Sequence, residues 1–108
     1  MFCQLSNSLS EEGKRALEMR DINLAVESFS KAIIEENCDK AEDWSLLAES
    51  LFYDGQFEFS LECWHEAALR NPKSKKIWVR ISALYALLQE DDLAIHYYKI
   101  SELLSIEE

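Results

Sequence analysis

The sequence predicts an all-α fold of three repeated helix–turn–helix units, and three observations support this prediction. The 108-residue chain has two Gly and one Pro, too few turn-forming residues for a fold of many short strands. Its apolar residues recur every three or four positions, as on one face of a helix. Its large aromatic residues recur at a period of 34, since Trp78 follows Trp44 and Tyr98 follows Trp64 at that distance. Such a period is typical of proteins in which each repeat packs only on its neighbours.

The first repeat extends from about residue 6 to residue 39 and is predicted to contain two helices. Leu9 and Gly13 take the large and small positions of the first helix. Arg20 and Asp21 form the predicted turn. The second helix has one apolar face, because its apolar residues are separated by 3, 1, 3, 3 and 1 positions. These residues are Ile22, Ala25, Val26, Phe29, Ala32 and Ile33.

The second repeat extends from residue 41 to residue 74, after one extra linker residue, Lys40. Trp44 begins its first helix, and Gly55 occupies the predicted turn. Pro72 follows the second helix, where it marks the exit from the repeat. The apolar face of this second helix consists of Phe57, Leu61, Trp64 and Leu69.

The third repeat extends from residue 75 to residue 108 and follows the pattern less closely. Its two helical stripes are clear, but Gln89 replaces the Gly of the turn and Ile106 replaces the Pro at the exit. A terminal repeat is expected to be atypical. The two stripes are formed by Ile77, Ile81, Leu84, Tyr85 and Leu88, and by Leu93, Ala94, Tyr97, Tyr98 and Leu104.

This pattern resembles the tetratricopeptide repeat, a 34-residue helix–turn–helix unit. The resemblance is most specific in the second repeat, which carries Trp44, Leu47-Ala48, Gly55, Trp64 and Pro72 in the family's register. It implies one domain over residues 1–108, a right-handed α-solenoid of three repeats and six antiparallel helices. In this family the first helix of each repeat lines a concave groove that binds other proteins.

The resemblance also indicates which residues face the groove. The third repeat contributes mainly apolar positions, which Phe52 and Tyr53 adjoin, while Glu42 and Glu49 are acidic. Such a groove suits an extended or helical peptide with apolar anchors and a basic residue. Packing on neighbouring helices is the alternative role, above all for Phe52. The predicted groove residues are Lys14, Glu42, Ser45, Glu49, Phe52, Tyr53, Lys76, Val79, Arg80, Ala83 and Leu87.

A second predicted interface is lateral. Solenoids usually end in an extra helix with a polar outer face, and no capping helix is evident after the sixth helix of this sequence. The sixth helix would then expose an apolar face formed by Tyr97, Ile100, Leu103 and Leu104. A homodimer, a partner that covers this face, or a longer repeat array would each satisfy it.

Two narrower classes within the family bear comparison with this sequence. The carboxylate clamp of this family grips acidic C-terminal tails of chaperones, and Lys76 and Arg80 stand at two of its five positions. The other three positions hold Ser10, Lys14 and Leu46, which disfavours a clamp. Type III secretion chaperones of bacteria are similar in size and architecture, without a diagnostic motif.

Composition limits the classes of partner and location. The net charge of −10 disfavours a surface that binds nucleic acid. The sequence contains no apolar run of membrane-spanning length, and its first residues do not read as a secretory signal. Cys3, Cys38 and Cys63 are an odd, widely spaced set, which favours reduced thiols in the cytoplasm.

The sequence shows no pattern of an enzyme, a metal site or a cofactor site. Cys63 and His65 lie two positions apart on one helix and therefore point to different faces. His65 and His96 are expected to be buried or half-buried structural residues, and the tryptophans are expected in the core. We therefore expect a non-enzymatic protein-interaction module, with lateral association through the last helix as the alternative.

Overall fold

The chain forms six α-helices in the computed structural model, which describes residues 7–104. Consecutive helices pack as three pairs, α1 on α2, α3 on α4 and α5 on α6, and the pairs stack through α2 on α3 and α4 on α5. The predicted all-α solenoid of helix pairs is therefore confirmed. Cys3, Ile106 and the predicted outer limits of the first and third repeats lie outside the described residues. The helices are α1 (Asn7–Glu18), α2 (Ile22–Glu36), α3 (Ala41–Tyr53), α4 (Phe57–Arg70), α5 (Lys75–Leu87) and α6 (Asp91–Leu104).

The turn inside each helix pair has the same backbone form, although only one of the three contains Gly. Arg20, Gly55 and Gln89 have φ of 66°, 81° and 64°, in the left-handed region. The next residue in each turn donates its N–H to a carbonyl five residues back, at 2.8 to 2.9 Å. This bond closes the end of the first helix, as in a Schellman motif. The tight turn therefore survives where the sequence departs from Gly, at a conformational cost to Arg20 and Gln89 of about 1 kcal/mol each.

The first helix pair packs closely because Gly13 has no side chain. A Cβ atom at this position would lie 2.6 Å from the Cε1 atom of Phe29, well inside van der Waals contact. Phe29 is only 2% exposed, so its ring fills the space between α1 and α2. The small position predicted from the sequence is thus where the two helices approach.

Buried serines link the helices of the second and third pairs. The Ser60 hydroxyl of α4 donates to the carbonyl oxygen of Ala48 in α3, at 2.6 Å. The Ser82 hydroxyl of α5 donates to the carbonyl oxygen of Ala94 in α6, at 2.8 Å. A buried hydroxyl needs such a partner, and each bond joins one helix to the backbone of the other.

The three tryptophans differ in burial, which corrects the expectation that all of them are core residues. Trp64 is 3% exposed and lies in the core. Trp44 and Trp78 are half-buried and pack against the core from the first turn of α3 and α5, where each turns its indole N–H toward the preceding loop. These N–H groups donate to the Asp39 carboxylate and the Pro72 carbonyl oxygen, both at 2.7 Å.

Arg70 ties the loop between α2 and α3 to the end of α4. Its guanidinium lies 2.7 Å from the Asp39 carboxylate and 2.8 Å from the Glu66 carboxylate, and it covers the Trp44 ring at 5.0 Å from the centroid. The hydrogen bonds of Asp39 with Trp44 and Arg70 lower the pKa of this carboxyl below its usual range. The first two repeats are therefore joined here by charged groups near the surface.

An aromatic stack forms between α5 and α6 of the third repeat, and His65 of α4 connects the second repeat to it. The Tyr97 ring of α6 lies between the rings of Trp78 and Tyr85, nearly parallel to both, with centroids 5.8 and 5.3 Å away. His65 of α4 meets the Tyr97 ring edge-on, and its Nε2 atom is 3.1 Å from the Tyr85 hydroxyl. Burial lowers the pKa of His65, against the opposing charge of Glu66.

The structural role expected for the two histidines applies to one of them. His65 is half-buried, as predicted, whereas His96 is exposed and the prediction for it was wrong. His96 lies on the solvent side of α6, where its contact is an edge-on one with the Tyr97 ring at 5.0 Å. Its apolar sequence neighbours misled the prediction, because adjacent residues on a helix point in different directions.

Candidate functional site

The candidate site is a depression between α3 and α5 that has a volume of about 140 Å³. Six of the predicted groove residues line it together, three from each of these helices. Trp64 of α4 and Leu84 of α5 complete the lining. The six predicted residues are Glu49, Phe52, Tyr53, Arg80, Ala83 and Leu87.

The depression presents apolar surface to solvent. Phe52 is 37% exposed, Tyr53 58% and Leu87 54%. Phe52 also makes the packing contacts that the sequence left open as its alternative role, with ring centroids 5.4 Å from Phe57 and 5.7 Å from Tyr53. It therefore both packs on its neighbours and contributes to the open surface.

The two charged residues of the depression stand on opposite helices. Glu49 belongs to α3 and is half-buried, while Arg80 belongs to α5 and is exposed. Among residues 7–104, neither side chain forms an ion pair within 4.0 Å. Both charges are thus available to a ligand in the depression.

A larger and shallower depression of about 610 Å³ lies between α1 and α3. Glu49 and Tyr53 belong to both depressions and form the ridge that separates them. These two residues are four positions apart in α3 and therefore point to the same side of the helix. The remaining lining residues are Leu17, Glu18, Arg20 and Ile22.

Four of the other predicted groove residues lie toward the N-terminal ends of α3 and α5, and the fifth, Lys14, lies in the second half of α1. Lys14 is 4.0 Å from both Glu11 and Glu42, so its charge already has acidic neighbours. Ser45 is half-buried. Lys76 and Val79 line a further depression together with Lys75 and Arg80. These five residues are Lys14, Glu42, Ser45, Lys76 and Val79.

The four predicted lateral residues do not share one environment. Leu103 is 71% exposed, while Ile100 and Leu104 are half-buried. Tyr97 points toward α4 and α5, where it forms the centre of the aromatic stack. It therefore belongs mainly to the packing of α6 on α5 and on His65 of α4, and contributes less to the outer face than expected.

Several residues of the site were not predicted. Arg20, Ile22, Trp64 and Leu84 line the two depressions, and they come from a turn, from the second helix of a repeat or from core positions. On the outer side of α6, Ile95 and Tyr98 are 55% and 51% exposed. The register assigns groove residues only from the exposed positions of each first helix. It therefore cannot assign turn, second-helix or core residues to the groove.

Metal binding, membrane insertion and thiol chemistry are other roles that side chains of these types can have. Within residues 7–104, no group of three His, Cys, Asp or Glu side chains is placed to hold a metal ion. No helix in this part of the chain has the length and apolar character needed to cross a membrane. Cys38 and Cys63 are buried, and burial raises the pKa of the Cys63 thiol to about 11.

Solved structures with the same architecture come from several proteins. MamA has 20% sequence identity and a TM-score of 0.85, and the match covers 92% of this chain and 57% of the MamA chain. The TPR2B domain of yeast Sti1, in a pHsp70 complex, has 18% identity and a TM-score of 0.85, with 94% and 81% covered. The TPR domain of Arabidopsis OM64 has 20% identity and a TM-score of 0.84, with 97% and 86% covered.

These similarities concern the fold. No family model and no curated protein sequence matches the chain. The chain spans little more than half the length of the MamA structure, at 57%, and almost all of the OM64 domain, at 86%. Six helices in three stacked pairs and TM-scores of 0.84 to 0.85 agree with the architecture predicted from the repeats. The chain therefore has the fold of a tetratricopeptide repeat domain.

Proposed function

We propose that this chain is a non-enzymatic protein-interaction module that holds a segment of another protein in the groove formed by α1, α3 and α5. The observation that carries the proposal is the apolar depression between α3 and α5. Phe52, Tyr53 and Leu87 keep a third to more than half of their surface exposed there. Covering exposed aromatic and aliphatic groups in a concave site removes apolar surface from water, which favours binding of a partner.

The similar structures give this proposal support of a general kind. The TPR2B domain of yeast Sti1 was solved in a pHsp70 complex, so the same fold serves protein binding elsewhere. The resemblance that the repeats suggested implies the same groove. The sequence identity to that domain is only 18%, so the shared fold does not identify the partner of the present chain.

The proposal can be tested with peptides selected on the wild-type chain from a phage library of random 12-residue sequences. Ala83→Arg places a long charged side chain in the depression, where Ala83 is exposed and leaves room for it without disturbing the core. Leu69→Asp is the matched control, since Leu69 is 75% exposed on α4, outside both groove depressions. We expect at least about tenfold weaker peptide binding to Ala83→Arg and unchanged binding to Leu69→Asp.

Fluorescence anisotropy of the labelled peptides measures the affinity, and circular dichroism confirms that each variant is folded. Peptides that bind Ala83→Arg as well as they bind the wild-type chain would place recognition outside this groove. A library that yields no binding peptide would argue against the proposal as a whole.

Lateral association through α6 is the second candidate function, because Leu103 is 71% exposed and Ile95 and Tyr98 are about half-exposed on the same helix. A second copy of the chain that covered these residues would form a homodimer. Light scattering over a wide concentration range measures this association. We expect Leu103→Asp to lower the solution mass of such a dimer, whereas Ile34→Asp, at an equally exposed position on α2, should leave it unchanged.

Three narrower hypotheses remain from the sequence. A carboxylate clamp has little support, because Lys14 already lies beside Glu11 and Glu42. A role as a type III secretion chaperone rests on size and architecture alone. A cytoplasmic location rests on the odd, widely spaced set of three cysteines in the sequence.

A further inference from the structure

We propose that the depression between α3 and α5 binds one apolar side chain of the partner, with a basic residue beside it paired to Glu49 and an acidic residue paired to Arg80. The inference rests on the proposed function, since it concerns the same groove. It adds the chemistry of the bound segment and the order of its charges. The depression would thus select both a sequence and a direction.

The size and lining of the depression support a single apolar anchor. Its volume is about 140 Å³, and a cavity of about 150 Å³ holds a benzene ring. One side chain of the size of Leu or Phe therefore fits. Phe52, Ala83, Leu84 and Leu87 provide an apolar wall on more than one side, so the anchor leaves water when it enters.

The charges at the rim support the two flanking residues. Glu49 and Arg80 line the same depression from facing helices, and among the described residues neither forms an ion pair with the other or with a third group. An ion pair between Glu49 and Arg80 would neutralise both charges within the protein. Because they are not paired, a ligand that covers them binds best when it carries a basic group for Glu49 and an acidic group for Arg80.

A basic residue on the α3 side has further support. The last turn of α3 contains no basic residue, so its carbonyl end attracts a cation without competition from its own side chains. Tyr53 is 58% exposed and lines the depression together with Glu49, and an exposed aromatic ring attracts a Lys or Arg that lies over its face. The carbonyl end of α3 and the Tyr53 ring therefore favour a cation at this position, as the Glu49 carboxylate does.

The two charges also order the bound segment across the groove. Glu49 comes from the second repeat and Arg80 from the third, so a segment that crosses from α3 to α5 passes them in turn. The basic residue must then lie on the α3 side of the anchor and the acidic residue on the α5 side. A peptide with the two charges exchanged would bring like charges together at both positions.

The experiment uses one groove-binding 12-residue peptide from the selection above and a synthetic charge-exchanged version of it. They share one Leu anchor and differ only in the exchange of the basic and acidic residues beside it. Each is measured by fluorescence anisotropy against the wild-type chain, Glu49→Lys, Arg80→Glu and the double variant. Leu69→Asp is again the control on the outer surface.

We expect the selected peptide to bind each single variant about threefold to tenfold more weakly than the wild-type chain. The double variant should prefer the charge-exchanged peptide, which reverses the order of affinities. Binding that Ala83→Arg abolishes but the charge variants leave unchanged would overturn this inference and leave the proposed function standing. Binding that Ala83→Arg also leaves unchanged would overturn both.

Discussion

The close approach of α1 and α2 at Gly13 gives a prediction in which two physical effects oppose each other. Replacing Gly by Ala inside a helix normally stabilises it by about 0.5 to 1 kcal/mol, because Ala loses less backbone entropy. Here the added Cβ would lie 2.6, 2.7 and 2.9 Å from three ring atoms of Phe29. Carbon atoms prefer about 3.5 to 4.0 Å, so the ring would have to retreat by about 1 Å.

The ring has little room to move, since Phe29 is only 2% exposed. Overpacking of this kind destabilises a core by about 1 to 3 kcal/mol, which exceeds the gain in helix propensity. We therefore expect Gly13→Ala to lower the free energy of unfolding by about 1 to 2 kcal/mol. Urea denaturation followed by circular dichroism measures this change.

A second substitution separates the clash from other effects. Phe29→Leu removes the ring atoms nearest to position 13, so it should relieve the clash although it leaves a cavity of its own. The double variant should be more stable than the sum of the two single effects predicts, by about 0.5 to 3 kcal/mol. A Gly13→Ala chain as stable as the wild type, or more stable, would refute the reasoning.

Three further predictions concern the core, the turns and pH. Trp64→Ala should cost about 3 to 5 kcal/mol of unfolding free energy in urea denaturation, because Trp64 is 3% exposed; a loss below about 1 kcal/mol would contradict its core position. Gly55→Ala should lower the melting temperature, since φ at Gly55 is 81°, whereas Gln89→Gly, at a φ of 64°, should leave it unchanged or raise it. Because the pKa of His65 is lowered from 6.5 in the folded chain, the unfolded chain binds its proton more readily, and stability should fall as the pH decreases below 6.5. His65→Gln should reduce that slope between pH 7 and 5 in urea denaturation, and an unchanged slope would mean that His65 does not contribute.

The fold could be predicted because its signal repeats along the sequence. Trp44 and Trp78, and likewise Trp64 and Tyr98, stand 34 residues apart, and a fixed period fixes helix pairs and their stacking order. The turns at Arg20 and Gln89 show the limit of such a pattern. Their backbone is left-handed without Gly, because packing of the flanking helices on the core overrides the local preference.

The site could be predicted only as far as the repeat register reaches. The register assigns Phe52, Tyr53 and Leu87 to the exposed side of the first helices, and all three side chains are exposed in the structure. It could not assign Tyr97, whose ring stacks on Trp78 and Tyr85 across two helices. Contacts of this kind depend on side-chain directions in three dimensions, which the spacing of residues along one helix does not contain.

The two boundaries between repeats are joined by different kinds of interaction, so we expect them to loosen under different solution conditions. Arg70 joins the first boundary through its ion pair with Asp39 near the surface, and added salt screens such a pair. His65 and its tyrosines join the second boundary through rings, where a proton on the half-buried imidazole is disfavoured. Ionic strength would then act on the curvature of the solenoid near α1, and acidity on its curvature near α6. A segment bound along the whole groove would be released from opposite ends by these two treatments.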